Sequence, residues 1–129
     1  MPAELTVLAL AALLQAVQLL LAGVAMNRDV GPAYNAGPRD TPAEFSPLTG
    51  RLRRAVANHF EALILFTIAV VVVTLSGKAN GVTVSCAWIY LVARVLYVPA
   101  YAFGWTPGRS VIFAVGCAAT LVMILVALF

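Results

Sequence analysis

Apolar residues gather into four blocks, each long enough to cross a bilayer. The first runs from Leu5 to Met26 and is interrupted only by Gln15 and Gln18; the others cover about 52–75, 82–103 and 110–129. At ~1.5 Å per residue, about 20 apolar residues span a ~30 Å hydrocarbon core. All four are expected to be helices, including the β-branched run Ile64 to Val73, because in lipid every backbone polar group must be satisfied within its own segment. The first block is expected to be retained rather than cleaved as a signal peptide, since its approach carries Glu4 and no Lys or Arg and its apolar run is long. Short turns at 76–81 and 104–108 make neighbouring spans antiparallel. Residues 27–50, broken by Gly31-Pro32, Gly37-Pro38, Pro42 and Pro47, read as one long loop. The predicted fold is therefore an all-α integral membrane protein, one four-helix up-down bundle occupying residues 1–129 as a single domain.

Polar residues inside these blocks are not scattered. At roughly 100° per residue, Arg51, Arg54, Asn58 and Glu61 fall within about 80° of one another on span two. Arg94, Tyr97 and Tyr101 share about 60° on span three, and Tyr90 and Cys86 extend the same face backwards. Pro99 falls on the opposite side and predicts a local kink. If span two enters the hydrocarbon near Leu52, Glu61 sits about 14 Å deep, where an unpaired carboxylate costs on the order of 3 kcal/mol or more. Arg54 and Arg94 are its candidate partners. Antiparallel geometry brings the entry of span two, the exit of span three and the entry of span four, with Arg109 and Ser110, to one bilayer face.

Composition excludes a soluble domain, with 63% of the 129 residues hydrophobic and 10% charged. Eight basic residues oppose five acidic ones, but the arginines sit at helix ends and inside apolar blocks, so nucleic acid is not the expected partner. Arg28, Arg39, Arg51, Arg53, Arg54 and Arg109 fall on one side of the membrane and Lys78 on the other. The positive-inside rule then puts the long loop in the cytoplasm and both termini outside. Cys86 and Cys117 are expected to be buried small hydrophobes. His59 points about 120° from the stripe centre and is expected at a subunit contact or near headgroups. Trp88 and Trp105 read as interfacial anchors. No metal centre is expected.

Four arginines, one carboxylate and several hydroxyl or amide groups favour an anion. Guanidinium forks pair with carboxylates, so a ligand with two carboxylates and one ammonium suits the set, the ammonium going to Glu61. Glutathione has that charge pattern, and an arginine near its sulfur favours the nucleophilic thiolate. The same residues also admit a plainer reading, with arginines reaching to headgroups and Glu61 pairing with Arg94 between helices.

The motifs Arg54-Ala55-x-x-Asn58-x-x-Glu61, Arg94-x-x-Tyr97-x-x-x-Tyr101 and Arg109-Ser110, in this order on spans two to four, resemble the MAPEG family, the membrane-associated proteins in eicosanoid and glutathione metabolism. The loop Gly37-Pro38-Arg39-Asp40 is similar to that of its short bacterial members. The resemblance implies a homotrimer with glutathione bound as cosubstrate between subunits near the cytoplasmic face. Arg54, Asn58 and Glu61 would contact it from one subunit, with Arg51 beside them. Arg94, Tyr97, Tyr101 and Arg109 would contact it from the next, Arg109 stabilising the thiolate with help from Ser110. Ala57 and Phe113 depart from the eicosanoid-making members. The implied activity is a glutathione transferase or peroxidase acting on lipophilic electrophiles or lipid hydroperoxides. A noncatalytic structural or lipid-binding subunit is the alternative. A small four-span exporter ranks below both, because span one carries only glutamines where that class needs a carboxylate.

Overall fold

The computed structural model describes residues 1–129. Its elements are α1 (Ala3–Val30), the single turn α2 (Pro32–Ala36), α3 (Pro47–Leu75), α4 (Gly81–Ala102) and α5 (Gly108–Leu128). Four of these are long and apolar enough to cross a membrane, and the chain is an integral membrane protein without strands. Only 28 of 129 residues are buried. Exposed leucines, isoleucines and valines line the outer faces of all four long helices, which is the surface that lipid solvates.

Helix ends follow local chemistry. Ser46 caps α3, its hydroxyl accepting the Thr49 N–H at 3.3 Å, with Pro47 next to it at the first helical position. The cap lengthens α3 five residues beyond the apolar block. Asn80 caps α4 in a reciprocal box, its side chain accepting from Val82 and Thr83 while the Thr83 hydroxyl accepts from Asn80 N–H. Gly77 and Gly104, at φ 69° and 67°, supply the left-handed residues that end α3 and α4. With α1 running on to Val30 and α2 inserted, the expected 27–50 loop shortens to irregular backbone over 37–46. Helix α4 continues through Pro99 to Ala102.

The cross-section is a rhombus. α1 packs on α3 and α4, α5 packs on the other side of the same pair, and α1 and α5 do not meet. Along the α3–α4 diagonal the core closes around Phe66 and Tyr90, whose rings stack at 3.9 Å with 2° between planes, with Val7, Ala11, Ala87, Ala119 and Met123 packed about them. Small residues at these contacts let backbones approach, as membrane helix packing requires.

Candidate functional site

At the end of the bundle where α3 begins, α4 ends and α5 begins, the predicted residues assemble around tyrosines. Arg51 Nε donates to the carbonyl of Ala102 at 2.8 Å, capping the last turn of α4. Arg54 Nε donates to the Tyr101 hydroxyl at 3.1 Å, and its guanidinium stands 5.9 Å from that ring. From α5, the Arg109 guanidinium lies 4.8 Å from the same ring. Tyr101 meets Tyr97 edge-on at 5.6 Å, and Arg94 lies over Tyr97 at 4.3 Å. The result is a ladder of cations and aromatic faces descending from the bundle end into the interior. None of the partners in it is a carboxylate.

Arg94 closes the ladder in an unusual state. It is 2% exposed, yet its Nε and Nη2 have no hydrogen-bond partner. A buried cation with open donors is costly and marks a place for an anion, a carbonyl or water. Glu61 does not fill it, since it lies exposed on α3. Neither expected partnership of Glu61 forms: Arg54 bonds Tyr101, and Arg94 stays inside. Asn58 Oδ1 is buried without a partner, and Ser110 is exposed on the first turn of α5. Arg54 and Tyr101 meet within one chain, although the family resemblance assigns them to neighbouring subunits.

Three readings of individual residues change. His59 is fully buried inside the chain and neither reaches headgroups nor awaits a second subunit: its Nδ1 lies 2.9 Å from Gln18 Nε2. Gln18 also donates to Gln15 Oε1 at 3.3 Å, and Gln15 donates to the Val56 carbonyl at 3.2 Å. The pair of glutamines on one face of an apolar helix points to burial against another helix, as found, and His59 is the polar partner that this signal left unnamed. Glu4 is buried in the first turn of α1 and accepts from Thr83 at 2.7 Å, so the first span does carry a carboxylate, already bonded at the opposite end of the bundle. Cys86 joins the core as expected, whereas Cys117 is half-buried on the wall of a cavity of about 100 Å³ that Arg94 and Tyr90 also line. Trp88 and Trp105 are exposed at the surface.

The loop lies against α1 and α3. Arg39 folds back, its Nε and Nη2 donating to the Asn35 carbonyl at 2.9 and 2.7 Å, and Arg53 stands over the Phe45 ring at 4.7 Å. Asp29 accepts from the Ser46 N–H at 2.9 Å, and the Tyr34 hydroxyl bonds the Thr41 carbonyl.

This constellation lies on a chain of which residues 4–129 match the MAPEG family profile. The chain belongs to the MAPEG family. No individual curated protein matches it at a significant level. As a MAPEG chain it falls in a membrane family associated in general with glutathione, and its arginine and tyrosine ladder occupies the motif positions named above.

Proposed function

We propose that this chain is a glutathione-dependent membrane transferase or peroxidase that activates the thiol against lipophilic electrophiles or lipid hydroperoxides. The observation that carries the reading is the ladder itself: Arg54 and Arg109 converge on Tyr101, and Arg94 lies beneath with open donors. Its ligand is an anion with more than one acidic group. Two glutathione carboxylates satisfy guanidinium donors held by aromatic faces. Arg109 stands in the first turn of α5, where its charge adds to the positive helix end, a setting that holds sulfur as thiolate. Glu61, exposed on α3, and Asn58, whose Oδ1 is buried without a partner, receive the ammonium and amide groups of a glutathione shared with a second copy, in keeping with a homotrimer. Arg51 supports the α4 end, and Ser110 offers a hydroxyl beside the thiolate. The apolar groove along Trp88, Val92, Leu96, Val111 and Val115 admits the second substrate from the bilayer. The site and the loop face the cytoplasm of a bacterial inner membrane, with both termini outside.

The test is an ultraviolet difference spectrum of the detergent-purified protein on addition of glutathione. A thiolate band near neutral pH that disappears in Arg109→Ala is expected. Absence of the band at saturating glutathione overturns the catalytic reading in favour of a noncatalytic subunit.

A further inference from the structure

The cavity beneath the ladder has a chemistry of its own. It lies between α3, α4 and α5 and holds about 100 Å³, more than a single water needs. Arg94 and Tyr90, 2% and 1% exposed, line it, and the Arg94 Nε and Nη2 and the Tyr90 hydroxyl all lack partners. Cys117 lies on the facing wall. Gly116 beside it leaves room: a Cβ there would stand 3.9 Å from Tyr90 Cδ2 and 4.0 Å from Arg94 Cδ. The Thr120 hydroxyl, also in the wall, is occupied by the Gly116 carbonyl at 3.0 Å. The remaining walls include Leu65 and Leu121, which are 49% and 55% exposed, so the cavity opens past apolar side chains at the surface of the chain.

A thiol, unfilled hydrogen-bond donors and an apolar approach from the bilayer form a receptor for one class of molecule. We infer that Cys117 is a covalent acceptor for lipophilic α,β-unsaturated carbonyl compounds, acting without glutathione. The carbonyl oxygen occupies the space served by Arg94 and Tyr90, and the tail extends past Leu65 and Leu121 into lipid. The Cys117 sulfur forms a bond to the β-carbon, and the C=C π pair moves towards oxygen as an enolate. Arg94 and Tyr90 donate to that developing oxyanion, the arrangement that stabilises such transition states most. The proton lost from the thiol ends on the α-carbon, so the product is a thioether that retains its carbonyl. No oxidant or further reactant enters. Cys86, 8% exposed in the apolar core and not in the wall of this cavity, is a built-in control.

The experiment treats the purified full chain in lipid nanodiscs with 3-nonen-2-one in the absence of glutathione, reading Cys117 and Cys86 adducts by peptide mass spectrometry. Iodoacetamide, whose substitution develops no carbonyl oxyanion, reports the access and thiolate fraction of each cysteine. Cys117 is expected to react with the enone at least about tenfold faster than Cys86. Tyr90→Phe, which keeps the ring stack on Phe66, is expected to slow the enone about tenfold or more, within the range of one lost oxyanion donor, and to leave the iodoacetamide rate unchanged. Arg94→Gln should act in the same direction. Equal enone rates at both cysteines, or a Tyr90→Phe enone rate equal to that of the parent, overturns the inference even if Arg94→Gln fails to fold. Because no glutathione is present, neither result depends on the transferase reading.

Discussion

At the end of the bundle where α4 begins, Glu4, Thr83 and Asn80 close their hydrogen bonds on one another; at the end where it finishes, Arg94 keeps two donors open and Asn58 an acceptor. Both regions place polar groups among apolar helices, at similar desolvation cost. The Glu4, Thr83 and Asn80 bonds are complete within the chain and hold α1 to α4, and near that end the Thr74 hydroxyl alone is buried without a partner. The second is incomplete, and folding alone does not finish it. Buried polar groups are normally paired, so the incomplete end is where binding is to be sought. The Gln15, Gln18 and His59 network lies between these cases, joining α1 to α3 through real bonds while Gln18 Oε1 and His59 Nε2 remain open.

The contrast is most exposed to test at Thr83. Its hydroxyl gives its one proton to the Glu4 carboxylate and the Asn80 carbonyl and accepts from the Asn80 N–H. Thr83→Val keeps the shape but strands a buried carboxylate. A loss of about 2–3 kcal/mol is expected, the scale of a hydrogen bond to a charged group, seen as a lower unfolding midpoint in detergent, with glutathione affinity per folded protein unchanged. A parallel loss of affinity would show that the two ends are coupled and that the division drawn above is wrong.

Tyr90 supplies the opposite sign. Its hydroxyl is buried without a partner while its ring stacks on Phe66. Tyr90→Phe removes the unsatisfied group and keeps the stack, so the ligand-free protein is expected to gain about 1 kcal/mol, measured by the same unfolding midpoint. A stability loss would mean that the hydroxyl is already satisfied by bound water.

How far these features were legible in the sequence depends on their physics. Four spans followed from apolar length, and the two stripes followed from helical spacing, because both are properties of single helices. Which helix covers a given face is not. His59 was placed by its angle on α3 and assigned outward, yet the glutamines of α1 cover it. The partnership of Glu61 with an arginine was inferred from charge, but in the folded chain aromatic rings at Tyr97 and Tyr101 receive the guanidinium groups instead. The loop proved shorter than its prolines suggested because two of them, Pro32 and Pro47, open helices. Cys117 was read as packing because the cavity beside it is made by three helices at once.

The smallest expected effect on stability falls at Tyr101, and it separates the two regions most cleanly. Its hydroxyl accepts from Arg54 in a partly exposed setting, where such contacts contribute at most about 1 kcal/mol. Tyr101→Phe retains the ring that Arg54 and Arg109 face and is expected to shift the unfolding midpoint by no more than about 0.5 kcal/mol. The hydroxyl nevertheless fixes the direction of the Arg54 fork, so glutathione affinity is expected to fall about tenfold, the equivalent of 1.4 kcal/mol, when titrated by calorimetry. A side chain that matters to binding and hardly to folding is the signature of the unfinished end. If Tyr101→Phe instead lowers stability as much as it lowers affinity, the ladder is a helix brace like the Glu4 and Thr83 contact, and the anion it was read to await is not its purpose.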